Sequence, residues 1–161
     1  RLDRAQWSSQ GPSRVELMYR PAAGLTARPL RRIASGGEAS RVMLACKVVL
    51  GDADGIDTLV FDEVDAGVGG ATAVALAQVL SHLAQSHQVI VVTHLAQVAV
   101  VGDRHYLVSK VGDAVPETTI EEISGDERVE EVARMLSGDQ TQTSLDHARE
   151  MLAAAASQKI R

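Results

Sequence analysis

The sequence predicts an α/β fold with a parallel-sheet core, and three observations predict it. Two short apolar runs, Leu59 to Phe61 and Val89 to Val92, read as central strands buried on both faces. Stretches of helical composition alternate with them, as parallel sheets require. Each run also ends in a residue able to do chemistry: Asp62-Glu63 after the first and His94 after the second. Parallel α/β sheets place ligands at that end of their strands.

The elements follow in order. The first ten residues show no clear period. Val15 to Tyr19 alternates and reads as a strand. Pro21, Gly24 and Pro29 break the next stretch into a loop. Ser35-Gly36-Gly37-Glu38 has the look of a helix start, the apolar stretch to Leu50 continues the helix, and Gly51 ends it. Asp52 to Asp57 is an acidic turn. Gly67 to Gly70 forms a flexible loop, and Ala71 to Gln85 reads as a helix. After His94 come a short helix and strands at Tyr106 to Lys110 and Thr118 to Ile123. Glu127 to Leu136 reads as an amphipathic helix with Val129, Val132, Ala133 and Leu136 on one stripe. A last helix spans about residues 144–157.

Composition narrows the function. At 161 residues the chain is one domain or one lobe of a larger domain. It is 45% hydrophobic but only 2% aromatic, so Val, Ile, Leu and Ala must fill the core. A net charge of −5 gives no global attraction to nucleic acid. The single cysteine, Cys46, allows no internal disulfide, suits a reducing cytosol, and reads as core. No apolar run approaches the roughly 18 residues that span a bilayer. No signal peptide is visible, and a start at Arg1 rather than Met suggests a fragment.

Asp62-Glu63 is the strongest chemical signal. One carboxylate can hold Mg²⁺ through water, and its neighbour can orient or deprotonate an attacking water. The alternative is a solvated turn. Ser35-Gly36-Gly37-Glu38 offers glycine backbone and free N–H groups to a phosphate at a helix N-terminus, or is a glycine-rich cap. His94 can hydrogen-bond a terminal phosphate or a catalytic water, or is structural. His82, His87, His105 and His147 read as surface or local residues. Arg28, Arg31, Arg32, Arg41 and Lys47 form either an anion-facing patch or a solvated face, and Glu130-Glu131 reads as a solvated helix face. The spacings from Ser35 to Asp62 and from Asp62 to His94, 27 and 32 positions, each hold one βα unit. All three motifs can therefore reach one edge of one sheet. The loop pattern G-x-x-x-x-G-K-[ST], which cradles phosphates, does not occur.

In these motifs the chain resembles the RecN family of bacterial DNA repair ATPases, relatives of the SMC and other ABC-type ATPases. Pro29 to Arg41 looks like the family's signature segment, Phe61 to Gly70 like its Walker B and following loop, and Val92 to Ala99 like its switch-histidine segment. Ala133-Arg134-Met135-Leu136 also matches, and the similarity covers roughly Val15 to Leu152. The resemblance implies the C-terminal lobe of an ABC/SMC-type head across residues 1–161, with the P-loop half absent. Residues 1–14 are poorly placed, 15–110 carry the motif core, and 111–161 form the C-terminal strand and helices. It implies ATP and Mg²⁺ as ligands, an N-terminal P-loop half of the same protein and a second head as partners, and DNA as a partner of the full-length protein. Asp62 would help hold Mg²⁺, Glu63 would be the catalytic base, and His94 would sense the γ-phosphate. Ser35, Gly36, Gly37 and Glu38 would meet ATP bound on the opposite head. SMC relatives carry an Asp where Gly69 stands here, and the share of that role taken by Asp65 stays open.

The implied function is ATP hydrolysis coupled to head engagement and DNA tethering in double-strand-break repair, in the cytoplasm at the nucleoid. The chain alone is expected to be inactive. The alternatives are a lobe of another SMC or transporter ATPase, or a nucleotide-gated dimerisation module without turnover.

Overall fold

The computed structural model describes residues 2–8, 11–33, 35–51, 55–111 and 117–159. Four strands come first: β1 (Leu2–Ser8), β2 (Gly11–Val15), β3 (Met18–Tyr19) and β4 (Arg28–Pro29). Helix α1 (Gly36–Leu50), strand β5 (Thr58–Phe61), helix α2 (Gly70–Leu83), strand β6 (Gln88–Val91) and helix α3 (Ala96–Ala99) follow. The chain continues through β7 (His105–Val111), β8 (Glu117–Ile123), α4 (Gly125–Ser137) and α5 (Gln142–Lys159).

The fold is α/β, as expected. Strands β5 and β6 pair in parallel with Leu59 opposite Val89 and Phe61 opposite Val91, and α2 forms the crossover. Residues alternate across a strand, so Leu59 and Phe61 face inward and Val60 faces outward. Helix α2 buries Ala73, Leu76, Ala77, Leu80 and Leu83, spaced at three and four residues, and the leucines and Ala77 pack against that inner face. Burying a side chain such as Leu80 contributes about 1.5–3 kcal/mol. Ala96 and Val98 of α3 divide between two apolar clusters: Val98 joins the sheet core, and Ala96 joins Val132 and Ala133 of α4 and Ala148 and Ala155 of α5.

The helix ends follow local chemistry. The Ser35 hydroxyl accepts from the Glu38 amide at 3.4 Å at the start of α1. Gly51 closes α1 with a φ of 58° and Gly138 closes α4 with a φ of 77°, a region that favours glycine. Arg128 on α4 donates from Nη2 to the carbonyls of Ala99, Val100 and Gly102 at 3.2, 3.3 and 2.8 Å. That fork satisfies carbonyls left open where α3 ends and ties α3 to α4.

Several expectations need correction. The strand expected over Val15 to Tyr19 is split: Val15 ends β2, and Met18-Tyr19 pairs with Arg28-Pro29 in a separate ribbon. The loop expected to run to Pro29 ends earlier for the same reason. Strands β5 and β6 are buried on one face only. Val60 is 66% exposed, Ile90 opposite it 46%, and Val92 57%. Among the described residues the parallel pair has two strands, and no layer covers its outer face. The β7–β8 ribbon is antiparallel, with Val108 and Ile120 paired and exposed. Cys46 is half-buried and outside both clusters. Glu131 is buried, with its carboxylate gripped by Arg134 at 2.7 Å through both Nε and Nη2. His87 is buried with Nδ1 against the Ser86 hydroxyl at 2.8 Å. His105 is half-buried, and burial, with the Arg128 cation, lowers its pKa below the usual value. Residues 52–54 of the expected acidic turn lie outside the described residues.

Arg128→Met keeps the apolar stem and removes the fork. The carbonyls at the end of α3 then lose their donors, at a cost of about 1–3 kcal/mol. Amide hydrogen exchange across residues 96–102 should quicken accordingly. Unchanged exchange there would show that α3 stays docked without Arg128.

Candidate functional site

The site is organised by one turn. After Phe61 the chain bends through Asp62 and Glu63 and then turns over residues 64–67. Glu63 takes a φ of 56°, the left-handed region that costs a non-glycine residue about 1–2 kcal/mol. The bend sends successive side chains in opposite ways. Asp62 and Glu63 stay exposed, Val64 enters the core fully buried, and Asp65 is only 2% exposed. The Ala66 amide donates to the Glu63 carbonyl and the Val68 amide to the Asp65 carbonyl, both at 3.0 Å.

The N-terminal turns of α1 hold this bend in place. The Ser40 hydroxyl donates to the Asp62 carbonyl at 2.7 Å. Arg41 Nη1 donates to the carbonyls of Val64 at 3.2 Å and Ala66 at 2.8 Å. Gly37 is buried against the same bend. A Cβ there would meet the Glu63 carbonyl oxygen and the Ala66 Cβ at 2.8 Å, closer than real Cβ contacts come. A Cβ on Gly36 would collide with Glu63 Oε2. Gly37 is thus needed for close approach of helix to turn, whereas the clash at Gly36 falls on the flexible end of the exposed Glu63 side chain, which can swing aside.

Asp65 reaches the other way, to the chain leaving β6. Its Oδ2 accepts from the Thr93 hydroxyl at 2.5 Å and the His94 amide at 3.0 Å, and lies 3.1 Å from His94 Nδ1. The Thr93 hydroxyl in turn accepts from the Leu95 amide at 3.0 Å. The His94 side chain is 69% exposed.

All the site residues singled out in the sequence are therefore gathered around the turn. Ser35, Gly36, Gly37 and Glu38 lie at the start of α1 against it, Asp62 and Glu63 stand on it, and His94 is tied to it. Three roles escaped sequence reasoning. Ser40 and Arg41 clamp the turn, and Asp65 anchors His94. An arginine one helical turn beyond the glycines, and a lone Asp set among small and apolar residues, were the available signals. Of the basic residues, Arg31 pairs with Glu16 at 2.6 Å, and Lys47 is buried rather than solvated.

The arrangement is an open edge. Two clefts of about 340 and 370 Å³ lie elsewhere, one beside Arg128 and Leu152 and one beside Gln78 and His82. Neither is lined by Ser35, Asp62, Glu63 or His94. Among the described residues no group of three or more His, Cys, Asp or Glu side chains could hold a metal. A single exposed carboxylate, Asp62, suits Mg²⁺ all the same, because that ion keeps several waters and takes substrate phosphates as ligands.

No family model matches the chain. Three proteins called "DNA repair protein RecN" are similar to it. That of Deinococcus radiodurans is 51% identical over 150 residues, covering 92% of this chain and 26% of the relative. That of Streptomyces coelicolor is 48% identical, with the same shares covered. That of Treponema pallidum is 49% identical, covering 90% of this chain and 26% of the relative. This chain thus spans about a quarter of their length. A solved structure described as "Structural biochemistry of ATP-driven dimerization and DNA stimulated activation of SMC ATPases" aligns over 68% of this chain and 65% of its own. Its TM-score of 0.46 at 24% identity is too loose a likeness to bear weight. At about half identity over nine-tenths of its residues, with both glycine and acid motifs inside the aligned stretch, this chain belongs to the RecN family.

Proposed function

We propose that this chain is the C-terminal lobe of an ATP-hydrolysing head in a RecN-type DNA repair protein, completed by a phosphate-gripping half from elsewhere in the full-length protein. The observation that carries the reading is the gathering of the Ser35–Glu38 segment, Asp62-Glu63 and His94 around one turn, at the ligand-binding end of a parallel strand pair.

The roles follow from chemistry and position. Glu63 is the general base: its carboxylate is exposed, on a backbone held in an unfavourable conformation by Arg41 and Gly37. It takes a proton from the water that attacks the terminal phosphorus. Asp62 would hold Mg²⁺ through water, and the ion would neutralise developing charge on the phosphate oxygens. His94 hydrogen-bonds the terminal phosphate. The start of α1 presents N–H groups to an anion, and Ser35 with Gly36, Gly37 and Glu38 meets nucleotide bound to a second head. A two-fold dimer gives each nucleotide one such segment.

The bare sheet face supports a missing half. Val60, Ile90 and Val92 form an exposed apolar surface on the outer side of β5 and β6, and such surfaces mark sites of docking. The relatives are about four times as long as this chain, which leaves ample sequence for a P-loop half and a second function. DNA tethering would be driven by head engagement in that larger protein.

Two tests in the full-length protein follow. Glu63→Gln should keep ATP binding and slow hydrolysis by about 10²–10⁴-fold, the usual worth of a general base; turnover at the wild-type rate would remove Glu63 from that role. Ser35→Arg should leave ATP affinity of a single head intact and abolish ATP-dependent dimerisation measured by light scattering. Loss of ATP binding by monomeric heads would instead place the segment beside its own head's nucleotide and refute the shared site.

A further inference from the structure

We propose that Asp65 is a positioning residue that fixes the place and aim of His94 and locks it to the turn carrying Glu63. The inference rests on the ATPase reading above and deepens it. The motif pattern leaves the task of Asp65 open, yet it is the most deeply buried carboxylate among the described residues. A carboxylate out of water must be fully hydrogen-bonded, or it costs several kcal/mol.

Its partners all come from two consecutive residues. The Thr93 hydroxyl, the His94 amide and His94 Nδ1 converge on the single atom Oδ2. The Thr93 hydroxyl and the His94 amide donate to it, and the Nδ1 edge of the ring lies against the same oxygen. The exposed ring thus turns its Nδ1 edge to Asp65 and leaves Nε2 on the side away from it. A histidine so held meets its target with one fixed atom, as histidines oriented by a carboxylate do. The two bonds to Thr93 and to the His94 backbone fix the strand end as well as the ring. Glu63, two residues before Asp65, and His94 therefore keep a constant separation.

The same contacts suit a purely architectural clasp, and the two roles part in their coupling. If Asp65 acts through His94, Asp65→Asn in the full-length protein should lower kcat for ATP by about 10–100-fold, the usual worth of a group that orients a functional histidine. KM for ATP should stay within about threefold, because Asp65 is buried and, among the described residues, bonds only to Thr93 and His94 through its carboxylate. In a His94→Ala background the same substitution should have little further effect on kcat, because the group it positions is already gone. A merely structural Asp65 would give effects that multiply, or would raise KM together with a fall in kcat, and either overturns the proposal. Should Asp65→Asn not fold, Thr93→Val removes the shortest donor and leaves the carboxylate in place. Its effect on kcat should likewise vanish in the His94→Ala background, and persistence there overturns the proposal.

Failure of the underlying ATPase reading has a different signature. Absence of ATP turnover by the wild-type full-length protein would sink that reading. Loss of turnover in Glu63→Gln with independent effects of Asp65→Asn and His94→Ala would sink this inference alone.

Discussion

A carboxylate sealed from solvent needs donors. Asp65 finds two on the residues leaving β6, at 2.5 and 3.0 Å on one oxygen, with His94 Nδ1 3.1 Å from the same atom. Hydrogen bonds to a charged group contribute about 1.5–3 kcal/mol each, so this is the strongest local constraint between the two strand ends. On the opposite side of the turn, Ser40 and Arg41 hold its carbonyls and Gly37 lets the helix come close. The turn after β5 is thus clamped from α1 and from β6 at once. Its unfavourable Glu63 backbone is the geometric consequence of meeting both.

Around that turn the packing divides in two. The inner face of the parallel pair and α2 form one apolar cluster, and α4 with α5 form a second, with α3 shared between them and fastened by Arg128. Among the described residues the outer face of the pair is uncovered and carries the apolar Val60, Ile90 and Val92. A two-stranded sheet buried on one side gains little stability by itself. The site and the bare face therefore share one explanation in the proposed function: each is half of something the rest of a RecN-type protein completes.

Much of this was legible in the sequence, for physical reasons. The β5–α2–β6 unit was readable because its apolar runs are short, rich in β-branched residues and set off by Gly and polar residues. The start of α1 at Ser35 and its end at Gly51 were readable from capping chemistry. The gathering of the three motifs was readable from spacing, since one βα unit returns the chain to the same sheet edge. Burial was not. A run such as Leu59-Val60-Phe61 suits a strand covered on both faces, and nothing in the run itself tells that among the described residues only one face is covered. The same blindness hid Asp65, Glu131 and His87, polar residues whose burial depends on partners distant in sequence or on tertiary packing. The break between Val15 and Met18 was hidden too, because the alternation runs on while the pairing partner changes.

The central claim is that the turn gathers a nucleotide site that this chain cannot complete. Titration calorimetry with MgATP tests it most directly, using the 161-residue chain and the full-length protein side by side. The account predicts binding by the full-length protein and no heat of binding from the 161-residue chain at micromolar ATP. Saturable micromolar binding by the 161-residue chain alone would contradict it, since the turn and the start of α1 would then grip nucleotide without a P-loop.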